Sequence, residues 1–369
     1  MKEKSQFEKN AADKQVELLS EALNGAVSAG GHWLNATGKG YPKFYPKGVA
    51  VSPFNALFMA LHSDKTGSKT NLFTLYSEAK ARGESVREHE KGVPFLFYNW
   101  NKYVNRNNPN DIISRNDYQQ LPPEERNRYK GIHNREIRTL FTIDQTLLPL
   151  VDKNVYETLV QKHGNSVEQG FGEKELRELR PRFNAFVQAI SKNMVPIRTD
   201  GSGVAHYDSQ KDAVYIPRQK DFEHYTDYAQ ETLRQIIAAT GHQQRLAREG
   251  MVMKNGVPPT EDAVKQEHLI SEIASGIKML EMGLPARLSD ENIKMVDYWS
   301  RELKENPCLI DAIESDVNNA LEVIRKAERG EKIEYATYRN HRQTERMQEQ
   351  MPKHFFVADE IKKHPDKDN

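Results

Sequence analysis

The sequence predicts an α+β protein of two domains, and three observations carry that prediction. Through about the first 150 residues, short segments of strand-type alternation are interspersed with amphipathic helical segments. In the second half, three short strand-like segments lead into one long amphipathic stretch, Tyr225 to Gly250, and further helical segments follow. Between the halves, Gly164, Gly170 and Gly172 interrupt a polar helical stretch, which places a linker there. The expected division is residues 1–150, a linker at 151–172, a mainly helical second domain with a small sheet at 173–329, and a charged tail at 330–369.

Composition limits the function classes. The chain has 369 residues, long enough for two substantial cores, and its 53 basic and 53 acidic residues cancel. Global charge therefore announces no polyanion partner, although a basic excess in the first 150 residues directs any nucleic-acid question there. The single cysteine, Cys308, excludes an intramolecular disulfide and a thiolate cluster, and the residue reads as a small buried apolar group. No run of 18 apolar residues occurs, and MKEKSQFEKNAADK is too polar for a signal peptide. The expectation is a cytoplasmic protein without a membrane partner.

Each element has its own local cause. Val16, Leu18, Leu19, Ala22, Leu23 and Val27 form an apolar stripe, so a helix is expected over 13–29, ended by Gly30-Gly31. A Gly-, Pro- and aromatic-rich passage then reads as loops and short strands, before a helix that opens at Ser52-Pro53, where proline suits the first turn. A helix over 74–81 and a strand over 93–98 follow, with Phe95 and Phe97 on the core face of that strand and Leu96, Tyr98 and Trp100 on the other. The polar stretch 101–120 reads as an insertion, and RTLFTID at 138–144 as a returning strand. VPIRTD, GVAHYDSQ and DAVYIP give three strands before the long amphipathic stretch. In that stretch Thr226-Asp227 offers an N-cap, Arg245 and Arg248 suit the helix dipole at the far end, and Gly250 closes it. QEHLISEIASGIKMLEMGLP and a final pair of helices carrying Trp299 and Leu303 complete the apolar faces.

The end of the Tyr225–Gly250 stretch, TGHQQRL, resembles the zinc-protease helix of ArdC-type antirestriction proteins, whose motif runs HELAHxTGHxxRL. Aligned on Thr240-Gly241-His242 and Arg245-Leu246, the three catalytic positions fall on Arg234, Gln235 and Ala238. Zinc hydrolysis needs two neutral imidazoles one turn apart and a carboxylate to take a proton from metal-bound water. A guanidinium, an amide and a methyl group supply none of these. The expectation is a non-enzymatic domain with no cofactor. The helix carrying Glu267 and Glu272 resembles the family helix that supplies the third metal ligand, which the resemblance assigns to Glu272. A buried carboxylate lacking its metal needs a cation, so an Arg234 ion pair with Glu272 or Glu267 is expected. A rearranged metal site from His242, His268, Glu267 and Glu272 is the competing reading, although a lone histidine near a helix end more often caps or packs.

The first half resembles the single-stranded-DNA-binding domain of the same family. The resemblance rests on Trp33, Thr37-Gly38-Lys39-Gly40-Tyr41, Asn55-Ala56-Leu57-Phe58, Ala79-Lys80-Ala81-Arg82-Gly83, Glu90-Lys91-Gly92-Val93-Pro94-Phe95-Leu96-Phe97 and Phe141-Thr142-Ile143-Asp144-Gln145-Thr146, in that order. Single-strand binding calls for a positive groove and aromatic faces on which bases stack. Trp33, Tyr41, Lys43, Phe44, Tyr45 and Lys47, then Arg82, Arg87, Lys91, Tyr98 and Trp100, combine both ingredients. The resemblance implies a non-catalytic protein that binds single-stranded DNA without sequence preference and protects incoming DNA during conjugation. Two other classes stand beside it: a protein-interaction module that engages restriction or conjugation proteins through the old cleft, and a metal-dependent hydrolase with rearranged ligands.

Overall fold

A computed structural model describes residues 6–34, 39–164, 173–199, 203–253 and 256–333. Helix α1 (Gln6–Ser28) starts seven residues earlier than its apolar stripe predicts. It leads through β1 (His32–Leu34), β2 (Lys43–Phe44) and β3 (Val49–Ala50) to α2 (Pro53–Lys65), which opens on its proline as expected. The segment read as a helix from 74 divides into β4 (Leu72–Leu75) and α3 (Tyr76–Ala81). Then come β5 (Val93–Asn105), β6 (Asn108–Ser114), α4 (Arg115–Gln120), α5 (Pro123–Arg126) and β7 (Tyr129–Thr142). These strands form one mixed sheet in the order β3-β2-β4-β7-β5-β6, with only β2 and β4 parallel.

The expected polar insertion at 101–120 is thus the continuation of a hairpin, because β5 and β7 stay paired from Val93↔Leu140 out to Asn105↔Tyr129. Its root is covered on both faces. Phe95 and Leu96 point to opposite sides and both are buried, while Phe97, expected in the core, is exposed with the Arg138 guanidinium 5.0 Å over its ring. Asn55 explains the Leu96 side, since its amide exchanges hydrogen bonds of 2.8 and 2.9 Å with the Leu96 backbone and anchors α2 against the strand.

Two further helices, α6 (Leu148–Val151) and α7 (Lys153–His163), occupy much of the stretch expected as a linker. They are fixed to the first half: Tyr156 donates a 2.7 Å bond to Asp144, and Leu72, Ile143 and Leu148 form a small core beneath them. Beyond lies α8 (Glu173–Asn193), followed by the three expected strands β8 (Ile197–Thr199), β9 (His206–Asp208) and β10 (Ala213–Ile216), in the order β8-β10-β9. Helices α9 (Tyr225–Thr240) and α10 (Glu261–Met282), strand β11 (Ala286–Arg287), and helices α11 (Asp290–Ile293), α12 (Val296–Glu305) and α13 (Leu309–Arg329) complete the chain. No described helix is long and apolar enough to cross a membrane. Cys308 is exposed at the start of α13 rather than buried, because it lies outside that helix's apolar stripe. Of the charged tail expected at 330–369, residues 334–369 lie outside the described residues.

The two halves share a core. Strand β1 pairs with β11, His32 opposite Arg287, and α1 and α2 lie against α12 and α13. One continuous cluster of buried apolar side chains runs from Leu19 and Phe58 through Ile236 and Ile273 to Val317. Trp33 is its hinge-pin. Its ring rests on Gly276 of α10, where an added β-carbon would meet the indole at 2.4 Å.

Candidate functional site

A cleft of about 710 Å³ opens between β9, α9 and the N-terminal half of α10. Helix α9 builds its floor but differs from its sequence pattern at both ends. Its N-cap is His224, with no side-chain capping bond, rather than Thr226 or Asp227. It stops at Thr240, capped by Gly241, so Gly250 does not close it. The remaining TGHQQRLAREG folds back as turns, and the two arginines expected to face the helix dipole do so from outside the helix. Arg245 Nε donates to the Ala239 carbonyl at 2.7 Å and Arg248 Nη2 to the Ile237 carbonyl at 2.8 Å, satisfying carbonyls that a helix end leaves open. Gly241 and Gly250 make this possible, because a β-carbon at either would stand within 2.7 Å of Met251 or Glu267.

Arg234 occupies the middle of the floor. Its Nε donates to Glu272 Oε1, its Nη1 to Glu231 Oε2 at 2.6 Å, and its Nη2 to the Arg287 carbonyl of β11. Asn292 adds a 2.8 Å bond to the same Glu272 oxygen, whereas the buried Oε2 has no hydrogen-bond partner among the described residues. Burial pushes the fully enclosed Glu272 carboxyl up, against the pull of Arg234 and Asn292. Burial also works against the charge on Arg234, but Glu272 and Glu231 outweigh it and raise its affinity for the proton. Gln235 lies beside this array, its amide donating to Glu231 Oε1 at 2.9 Å, and Ala238 lines the cleft without a polar group.

Glu267, the other carboxylate considered for Arg234, is held by a different arginine. Arg248, fully buried, donates through Nε to Glu267 Oε2 at 2.8 Å and through Nη1 to Thr240 at 2.6 Å. A third buried arginine, Arg245, clamps Asp212 through Nη1 at 3.0 Å, and Tyr207 donates to the same carboxylate at 2.7 Å. Burial alone would raise the Asp212 carboxyl, yet these bonds hold it below the ordinary carboxylate range. His242 sits in the turn with its ring edge-on to Tyr207 and its Nδ1 accepting from the Gln244 backbone. His268 is engaged with Asn292 at 3.1 Å. Glu231, Asn292, Arg248 and Asp212 were not among the residues singled out from sequence for this site. Glu231, three residues before Arg234 on one helix face, carried a local signal, and Arg248 was read only as a cation suiting the helix end.

In the first half the structure separates the aromatic candidates. Trp33 is 3% exposed and presents no face to a base, because its ring fills the space above Gly276. Tyr41 packs on the core, its hydroxyl bound to the Val51 carbonyl at 3.1 Å, and burial pushes its phenol strongly up. Phe44 is committed edge-on to Phe95. Tyr45 is half-buried beneath the Arg82 guanidinium, 4.8 Å from its ring centre, and Arg82 is itself tied to Glu84 and Thr74. Lys43 is half-buried; Lys47, Arg87 and Lys91 are exposed, with Arg87 paired to Glu90. Tyr98 and Trp100 have side chains outside the described residues.

The fold and cleft define a class first: a protein with a zincin-like second half. Residues 181–314 match the family model for zincin-like metallopeptidases, and residues 9–140 match that for the N-terminal domain of the anti-restriction factor ArdC. With both models matched in this order, the chain belongs to the ArdC-type family. The metal-free crystal structure of the antirestriction ArdC protein from plasmid R388 superposes with a TM-score of 0.57 at 20% identity, over 85% of this chain and 98% of that one. The Mn(II)-bound structure gives 0.55 at 19% identity, over 85% and 97%. These similarities show a shared fold. No curated protein matched the chain.

A zincin fold implies a catalytic metal, and the residues present here do not fit one. A guanidinium fills the centre of the cleft floor and takes the carboxylate of Glu272, while Arg248 takes that of Glu267. Among the described residues, no group of three or more His, Cys, Asp or Glu side chains is arranged to hold a metal ion.

Proposed function

We propose that this ArdC-type protein is non-catalytic and binds single-stranded DNA without sequence preference, protecting incoming DNA in an antirestriction role. The observation that carries the non-catalytic part is the Arg234 guanidinium bridging Glu272 and Glu231 where the resemblance expects a metal ligand. Arginine stays protonated, so it neutralises the carboxylate as a metal would but offers no exchangeable site for water. The DNA part rests on the matched ArdC N-terminal domain, together with Tyr45 and the exposed Lys47 and Lys91.

The test is binding of a labelled single-stranded oligonucleotide, against duplex of the same sequence, over a salt series. Tight, strand-selective binding that weakens steeply with salt and is reduced in Tyr45→Ala, Lys47→Ala and Lys91→Ala supports the reading. Absence of binding at low salt ends it. A second reading, capture of a restriction or conjugation protein through the cleft, is favoured by the cleft's size and by β9, which edges its sheet along that opening. In that case a partner would protect the cleft residues from amide exchange while DNA would not.

A further inference from the structure

Beyond its buried root, the β5–β7 hairpin becomes an arm standing in solvent. Between Phe97 and Thr139, Val104 is the only buried residue among those described. One face of the arm is clothed. There Tyr103 stacks on Tyr118 of α4 at 3.8 Å and 4°, and Arg126 lies over the Tyr118 ring. The other face is set by register: Val104 lies opposite both Ile112 and Lys130, which places Lys102 and Lys130 on the same side. Just past the strand ends the Arg106 amide bonds to the Arg128 carbonyl at 2.7 Å, which brings the backbones of these two arginines together beside Lys130.

These four cations are exposed and have no carboxylate partner among the described residues. The arm's acids are mostly engaged elsewhere. Asp111 accepts from Asn105 and Tyr129 at 2.8 Å each, Asp117 closes the capping box of α4, and Glu136 pairs with Arg138; Glu124 and Glu125 sit on α5. Residues two apart on a strand are about 7 Å apart, so Arg128 and Lys130 are near neighbours, while Lys102 and Arg106, with Val104 between them, stand about twice as far apart. Among the described residues these four charges serve no ion pair, so none of them is used to hold the arm together.

We infer that the Lys102–Arg106–Arg128–Lys130 face is a second contact for single-stranded DNA, one that grips the phosphate backbone and reads no base. This inference rests on the proposed DNA binding, and adds to it a site separate from Tyr45, Lys47 and Lys91. Long cationic side chains on a three-stranded extension of the sheet suit a polyanion whose charges repeat along a line.

The experiment uses the full chain and labelled single-stranded oligo-dT and oligo-dA, over a salt series. Wild type is compared with Lys102→Ala/Lys130→Ala, with Arg106→Ala/Arg128→Ala, and with Lys130→Arg as the charge-retaining control. Unchanged melting temperatures would establish that the surface changes leave the fold intact. Each double variant is expected to bind more weakly on both oligonucleotides, with the slope of log K against log salt reduced by about 0.7 per lost phosphate contact. Lys130→Arg should retain wild-type slope and affinity. Wild-type binding that is lost in Lys47→Ala or Lys91→Ala but unchanged in both arm variants overturns this inference and leaves the DNA reading standing. Failure of the wild type itself to bind overturns both.

Discussion

Arg234 of α9 donates through Nε to Glu272 of α10, joining two buried helices of the second half through a charge pair that solvent scarcely reaches. Removing the cation leaves a carboxylate with no exposure at all and one oxygen already without a partner among the described residues. Arg234→Met should therefore cost about 3–5 kcal/mol, the range for breaking a buried pair. The double variant Arg234→Met/Glu272→Leu should recover much of that loss, because no uncompensated charge remains. Urea denaturation of wild type, both single variants and the double variant measures the coupling. A double variant as unstable as Arg234→Met alone would count against the pair as the cause.

The same geometry predicts how a metal site would return. Arg234→His, Gln235→Glu and Ala238→His place two imidazoles one turn apart on α9, facing the freed Glu272. The triple variant should take up one zinc ion and gain thermal stability from it, whereas wild type should show neither effect. Elemental analysis and melting curves with and without zinc decide this.

Gly276 tests whether the halves are one cooperative unit. A methyl group there would meet the Trp33 indole at 2.4 Å, so Gly276→Ala should destabilise by about 1–3 kcal/mol through overpacking. Because Trp33 belongs to the first half and Gly276 to the second, a single transition should move as a whole. Two separated transitions in calorimetry, only one of them shifted, would show that the halves unfold independently.

Asp212 gives a pH signature. Its folded-state carboxyl is held below its ordinary value, so the folded protein releases that proton more readily than the unfolded chain. The stabilisation is complete above the unfolded carboxylate value of about 3.9 and is lost as pH falls through the lower folded value. Asp212→Asn should remove this part of the acid dependence, giving lower stability at neutral pH and a flatter decline towards acid. Asparagine also tolerates the left-handed φ of 47° at this position, so the backbone is not a confounding factor.

The sequence by itself determined the α+β character, the three short strands before α9, the family resemblance of both halves and the need for a cation beside Glu272. Each of these depends on local periodicity or on the chemistry of a residue type, which a single chain displays directly. Arg234 was legible because a guanidinium at a ligand position has only a few ways to be accommodated. Only the tertiary structure decided that Glu267 belongs to Arg248, since that partnership depends on the turn at Gly241 carrying residue 248 back beneath α9. It also decided that Trp33 is a packing residue, and that Lys102 and Lys130 share one face with Arg106 and Arg128 beside them. An aromatic ring near lysines reads alike whether it faces solvent or another helix, and cations far apart in sequence become neighbours only through strand register. Burial and register are properties of the assembled chain, set by contacts that no local stretch of sequence contains.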